Sequence, residues 1–149
     1  KENREVPPLR HGLVHRLKRE RPGLRILING GIADADAALA QLEHVDGVML
    51  GRAAYHDPHL LHRLDAALTG APARARGELL RAFLPWVEMQ LEQGLALRHV
   101  TRHILGLFHG QPGGRAFRQI LSEGSSRPGA GVELIERALR ATQELPHAA

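Results

Sequence analysis

Two rhythms of apolar and polar positions run along the chain, and they change near residue 70. Over residues 10–21, Leu13, Val14 and Leu17 recur at helical spacing among charges, which predicts an amphipathic surface helix broken by Pro22-Gly23. The run LRILI at 24–28 reads as a short strand that leaves through a turn at Asn29-Gly30-Gly31. A helix is expected over 34–44, with Asp34 as N-cap and Ala37, Leu39, Ala40 and Leu42 facing inward. A second strand over 47–50 ends at Gly51-Arg52, and another helix starts before Asp57-Pro58. Short, continuously apolar strands that alternate with helices predict parallel βα units covered on both faces.

Beyond Thr69 the strand rhythm stops. Residues 70–76, rich in Ala, Gly and Pro, read as a linker between a part at 1–69 and a helical part at 77–149. A helix over 76–93 carries Leu79, Leu80, Phe83, Val87 and Leu91 on one side; Pro85 should kink or break it, and Gly94 can end it. Trp86 falls in the same apolar stripe and is expected in the core. A second helix is predicted over 95–108 with Leu97, Val100, Ile104, Leu107 and Phe108 as its stripe, a third over 115–122 and a fourth over 132–145, making a small bundle. Two βα units cannot cover a sheet, and the chain starts at Lys1 in a loop-like stretch, so strands preceding Lys1 are expected to complete the first part.

Composition narrows the class. The 149 residues are 43% hydrophobic and 24% charged, a soluble globular balance, and no apolar run approaches the roughly 18 residues of a membrane span. Cysteine is absent, which excludes disulfides, thiolate metal sites and a cysteine nucleophile within this chain, and fits a cytoplasmic protein. Lys plus Arg outnumber acids 20 to 16, for a net charge of +4 carried almost wholly by arginine. That excess has two readings: phosphate-bearing partners, or a GC-rich genome that writes Arg for Lys. The pairs His11/His15 and His99/His103 have one-face spacing, but neither has the Glu of H-E-x-x-H or an obvious third ligand, so no metal site is expected.

The glycine turns carry the candidate chemistry. In a (β/α)8 barrel the loops after the last two strands often hold a phosphate. Asn29, Gly30 and Gly31 leave one strand end, where glycine lets backbone N–H groups approach an anion. Gly51 and Arg52 leave the next and add a guanidinium, and the helices behind both turns add favourable dipoles. Each motif alone is also an ordinary turn signal. Arg115 and Arg118 share one helix face behind Gly113 and Gly114, whose free N–H groups would complete a seat for an RNA phosphate; the alternative is a pair of solvated charges. Phe117 between them is expected to pack inward. Arg98, Arg102 and His103 either extend this basic face or are plain surface residues.

The segments INGGI, DGVMLGRAAYHDP and TRHILGLFHGQPGGRAFR, with the opening KENREVPPL, resemble the C-terminal portion of the tRNA-dihydrouridine synthases, and within them the A subfamily, the (20/20a) synthases. The resemblance implies α/β plus all-α architecture: the last two βα units of a TIM (β/α)8 barrel, followed by a helical tRNA-binding bundle. It implies FMN as cofactor and NADPH as reductant, with the flavin N5 passing hydride to a D-loop uracil and a cysteine protonating the other carbon. It makes Asn29, Gly30, Gly31, Gly51 and Arg52 the FMN-phosphate contacts, and Lys1, Arg4, Arg115 and Arg118 the tRNA contacts. The family's cysteine belongs to the earlier half of the barrel. These 149 residues alone are therefore expected neither to reduce uridine nor to hold FMN tightly. Two other readings stay open: a stand-alone RNA-binding module without redox activity, and a different phosphate-binding flavin barrel with an unrelated helical tail.

Overall fold

A computed structural model describes residues 8–143, the last of these by its backbone alone. The chain forms two compact units that divide between Ala53 and Ala54. The first contains α1 (His11–Glu20), β1 (Leu27–Asn29), α2 (Ala35–Leu42) and β2 (Gly47–Met49); α3 (Arg52–His56) carries the chain onward. The second contains α4 (His59–Thr69), α5 (Arg76–Glu92), α6 (Leu97–Thr101), α7 (Gly114–Gly124) and α8 (Val132–Gln143). The expected loop at 1–9 and the end of the helix expected over 132–145 fall partly outside the described residues.

In the first unit β1 and β2 pair in parallel, with Leu27 opposite Gly47, Ile28 opposite Val48 and Asn29 opposite Met49. The first strand is shorter than LRILI because its entry is held by a side chain: Asp46 accepts from the Ile26 N–H at 2.8 Å, and the Asp46 N–H donates to the Ile26 carbonyl at 3.0 Å. Lys18 ties α1 to the same carboxylate at 2.8 Å and also donates to the Pro22 and Leu24 carbonyls. Ile28, Ile32, Ala35, Ala38 and Val45 form the buried centre. The inward face of α2 differs from the expected one: Ala35 and Ala38 are buried, Ala37, Leu39 and Leu42 are half-buried, and Ala40 is exposed. Asp34 caps that helix as expected, accepting from the Ala37 N–H at 2.8 Å. Among the described residues the strands are covered on one face only, since Leu27 is 64% and Met49 50% exposed.

The second unit differs from the expected outline in four places. Pro58 has no N–H and biases Asp57 away from helical geometry, so one expected helix becomes α3 and α4, with Asp57 accepting from the His59 N–H at 3.1 Å. Residues 70–76, expected as a linker, lie inside this unit, fastened to α4 by imidazoles. His59 Nε2 donates to the Arg74 carbonyl at 3.0 Å, and the Arg74 N–H donates to His62 Nε2 at 2.7 Å. Helix α5 runs through Pro85 without ending, because Pro85 and Arg81, whose carbonyl the proline leaves without a helical donor, both face solvent. Trp86 is exposed and stacks on Phe83 with ring centroids 5.0 Å apart, so the core position expected for it is not found.

The fourth difference is the helix expected over 95–108. Only α6 is helical; the chain then makes tight turns, with His103, Ile104, Leu107 and His109 each donating to the carbonyl three residues back. Gly106 is the reason: a Cβ there would lie 2.6 Å from the Tyr55 carbonyl oxygen, so this segment packs backbone to backbone on the end of α3. The predicted stripe is nevertheless buried, since Leu97, Val100, Leu107 and Phe108 join Phe117, Leu121, Ile135, Ala138 and Leu139 in one continuous core. The amphipathic α7 and α8 close that core, with Phe117 fully buried as expected.

Candidate phosphate and nucleic-acid sites

The parallel register places the two glycine turns side by side. Asn29 and Met49 are partners at the C-terminal ends of their strands, so Gly30-Gly31 and Leu50-Gly51-Arg52 depart from the same end of the sheet. Gly30 and Gly31 have φ of 109° and 68°, a conformation that costs other residues on the order of 1–2 kcal/mol. Cβ atoms there would also meet the Leu9 side chain, at 2.8 Å from Gly30 and 2.5 Å from Gly31. His11 Nε2 donates to the Gly30 carbonyl at 2.9 Å; a carbonyl only accepts, so Nε2 carries the hydrogen. Arg52 starts α3, is exposed, and has no ion-pair partner among the described residues.

The helix dipoles contribute unequally. Asp34 occupies the N-terminus of α2 with its own carboxylate, and Asp36 adds a second acid in that turn, so the dipole expected to help from α2 is already answered. The other groups at these strand ends are the Asn29-Gly30-Gly31 backbone, the Asn29 amide, the Gly51 turn and Arg52. Leu9 and His11, which shape the first turn, escaped the sequence reading because contacts across some 20 residues leave no local pattern.

In the helical unit Arg115 and Arg118 are exposed on the first turns of α7, opposite buried Phe117 and Leu121. The glycine backbone before them is less free than expected, since the Gly114 N–H donates to the Gln111 carbonyl at 3.0 Å. The arginines themselves have no ion-pair partner among the described residues. Lys1 and Arg4 lie outside the described residues. A broader signal was missed: residues 93–122 contain no Asp or Glu, yet carry Arg98, His99, Arg102, His103, His109, Arg115 and Arg118. An acid-free stretch of this kind is readable by charge patterning alone.

Two further carboxylates serve structure. Asp57 grips Arg76 through both oxygens, at 2.9 Å for the Nη2 contact, and Arg76 also donates to the Leu107 carbonyl. Burial raises the Asp57 carboxyl, but the Arg76 hydrogen bonds and charge outweigh it and leave the group below the ordinary aspartate range. The Ile26 N–H and then the Lys18 ammonium hold the Asp46 carboxyl below it as well. No helix among the described residues is long and apolar enough to cross a membrane.

Comparison with known proteins covers both units. The family model "Dihydrouridine synthase (Dus)" matches residues 1–143. The chain is 67% identical over 144 residues to the tRNA-dihydrouridine(20/20a) synthase of Xanthomonas campestris, covering 97% of this chain and 43% of that protein. It is 60% identical over 139 residues to the protein of the same name from Xylella fastidiosa, covering 93% and 41%. A third, from Shewanella oneidensis, is 46% identical over 145 residues, covering 96% and 43%. The chain thus spans less than half the length of these curated relatives.

Proposed function

The chain belongs to the dihydrouridine synthase family, and from that premise we propose that it is the C-terminal portion of a flavin-dependent tRNA-dihydrouridine(20/20a) synthase. In this reading the first unit supplies the last two βα units of a (β/α)8 barrel, and the helices from residue 77 onward form the tRNA-binding part. The observation that carries the proposal is the register: Asn29 and Met49 pair at one end of a parallel ladder, so two glycine turns and one unpaired guanidinium meet where such barrels hold phosphate.

The donor set suits an FMN phosphate. Backbone N–H groups at Gly30, Gly31 and Gly51 and the Asn29 amide are neutral donors, and Arg52 adds the forked, permanently charged group that matches phosphate oxygens. FMN held there would supply hydride chemistry toward a uracil, with NADPH as its reductant. This chain's residues hold the phosphate and so fix the flavin at the strand ends, while Arg115, Arg118, Lys1 and Arg4 hold the RNA backbone. The chain has no cysteine, so the proton donor that the resemblance calls for is not among these residues. The tRNA substrate makes a cytoplasmic location the natural one.

The test is flavin affinity in the natural polypeptide that carries this chain. Wild type is expected to purify yellow, with uridine reduced in D-loop transcripts when FMN and NADPH are present. Arg52→Ala should weaken FMN about 10–100-fold through loss of charge-assisted bonds, with Arg52→Lys between the two. A colourless wild type that takes up no added FMN refutes the proposal.

A further inference from the structure

The acid-free stretch of the helical unit borders an aromatic side chain that packing does not explain. Tyr55 is 63% exposed, yet its ring is fixed in place. Its hydroxyl lies 2.8 Å from His103 Nδ1, and Arg102 Nε donates to His103 Nε2 at 3.0 Å. An arginine Nε only donates, so His103 Nε2 accepts, and a neutral imidazole then carries its hydrogen on Nδ1 and donates it to the tyrosine oxygen. The His103 ring stands edge-on, 5.7 Å from the tyrosine ring. The hydroxyl end is thereby anchored while the ring remains open to solvent.

The surroundings are rich in arginine and histidine. Gly106 seats the turn segment against the Tyr55 and His56 carbonyls. His56 and His109 meet edge to face at 6.1 Å. At the other end of the segment a Cβ on Gly114 would overlap the Phe108 carbonyl, which brings the start of α7, and so Arg115, against the same turns. Asp57, the carboxylate that adjoins Tyr55 and His56 in sequence, is engaged by Arg76. Exposed Trp86, stacked on partly buried Phe83, offers a contrast, for it sits on a helix that also bears Glu78, Glu88 and Glu92.

We propose that Tyr55, held by His103 and Arg102, is a stacking seat for an unpaired base of RNA whose backbone runs along the basic surface toward Arg115. The inference rests on the tRNA reading above and deepens it. A ring face accepts any base, and one already ordered by a hydrogen bond loses little freedom on binding. The arginines supply the sequence-independent attraction that brings the strand there.

The experiment measures equilibrium binding of unmodified tRNA transcript to the natural polypeptide across a salt series. A second transcript carries 2-aminopurine at an unpaired D-loop position. Tyr55→Ala should lower affinity about tenfold or more with the salt slope unchanged, and should abolish the quenching of 2-aminopurine. Tyr55→Trp and Tyr55→Phe, which keep a ring, should retain quenching and most of the affinity. Arg115→Ala with Arg118→Ala should instead flatten the slope by about two units. If Tyr55→Ala binds like wild type while the arginine variant is weakened, the stacking seat is wrong and the tRNA reading stands. If Tyr55→Trp binds as weakly as Tyr55→Ala, or if the loss comes with a flatter slope, the stacking seat is also overturned. Wild type that binds no tRNA overturns both.

Discussion

The two units use similar apolar content to different ends. In the helical unit the apolar stripes of α5, α7 and α8 converge with the turns around Gly106, and Phe117, Leu121, Ile135 and Ala138 are fully buried in one core. In the first unit five residues form the buried centre, while Leu13, Leu17, Leu24, Leu27 and Met49 remain exposed on α1, the strands and the connection from α1 to β1 among the described residues. Amphipathic periodicity marks a surface that can be buried; whether it is buried depends on which elements lie opposite. The second unit also exposes large apolar side chains, among them Leu61 and Leu68, but in the first unit they lie on both strands as well, which matches the proposal that this unit is one sector of a larger barrel.

Substitutions should separate the units, and the largest effect belongs to the closed core. Phe117→Ala, which empties the centre of the helical unit, should cost about 3–5 kcal/mol in denaturant unfolding of that unit. A loss below about 1 kcal/mol would show that this core is loose. Next comes the Asp57–Arg76 pair: Asp57→Asn leaves a half-buried guanidinium underpaired and should cost about 1.5–3 kcal/mol at neutral pH. The pH dependence follows from the lowered carboxyl. A group held below its unfolded value contributes fully above that value, about 3.9 for aspartate, and loses its contribution as pH falls through the folded one. Wild-type stability should therefore drop as pH falls below about 4, and Asp57→Asn should flatten that drop in acid titrations followed by circular dichroism.

Smaller effects probe the open unit. Asp34→Ala removes the cap of α2 and should cost about 1 kcal/mol, read as faster amide exchange in residues 35–42. Leu13→Gln and Leu17→Gln should each change stability by no more than about 0.5 kcal/mol in this 149-residue chain. The same changes in the natural polypeptide should cost more if α1 packs against the rest of a barrel. Equal, negligible costs in both would dissolve the contrast between the units.

Local chemistry was legible from residues alone, and long-range chemistry was not. The Asp34 cap, the Gly94 helix end and the inward Phe117 of α7 all follow from neighbours within a turn or two. The tight turns after α6 replace a helix because Gly106 meets the carbonyls of residues some 50 positions earlier, a constraint that apolar periodicity does not encode. Residues 70–76 looked like a linker by composition, yet imidazoles on α4 fasten them. At the strand ends the glycines and Arg52 were readable as motifs, whereas Leu9 and His11, which shape the first turn, were not.

Lys18 closes one further circle. The sequence holds only two lysines among its twenty basic residues, and the ammonium of this one meets the carbonyls of Pro22 and Leu24 and the Asp46 carboxylate. Three acceptors match the three hydrogens of a compact ammonium, a task for which a flat guanidinium is the wrong shape. Amine-directed acylation would remove the charge and two of those three hydrogens and so release the entry to β1. The rate at which Lys18 is acylated is accordingly a built-in chemical gauge of how often the first unit comes apart.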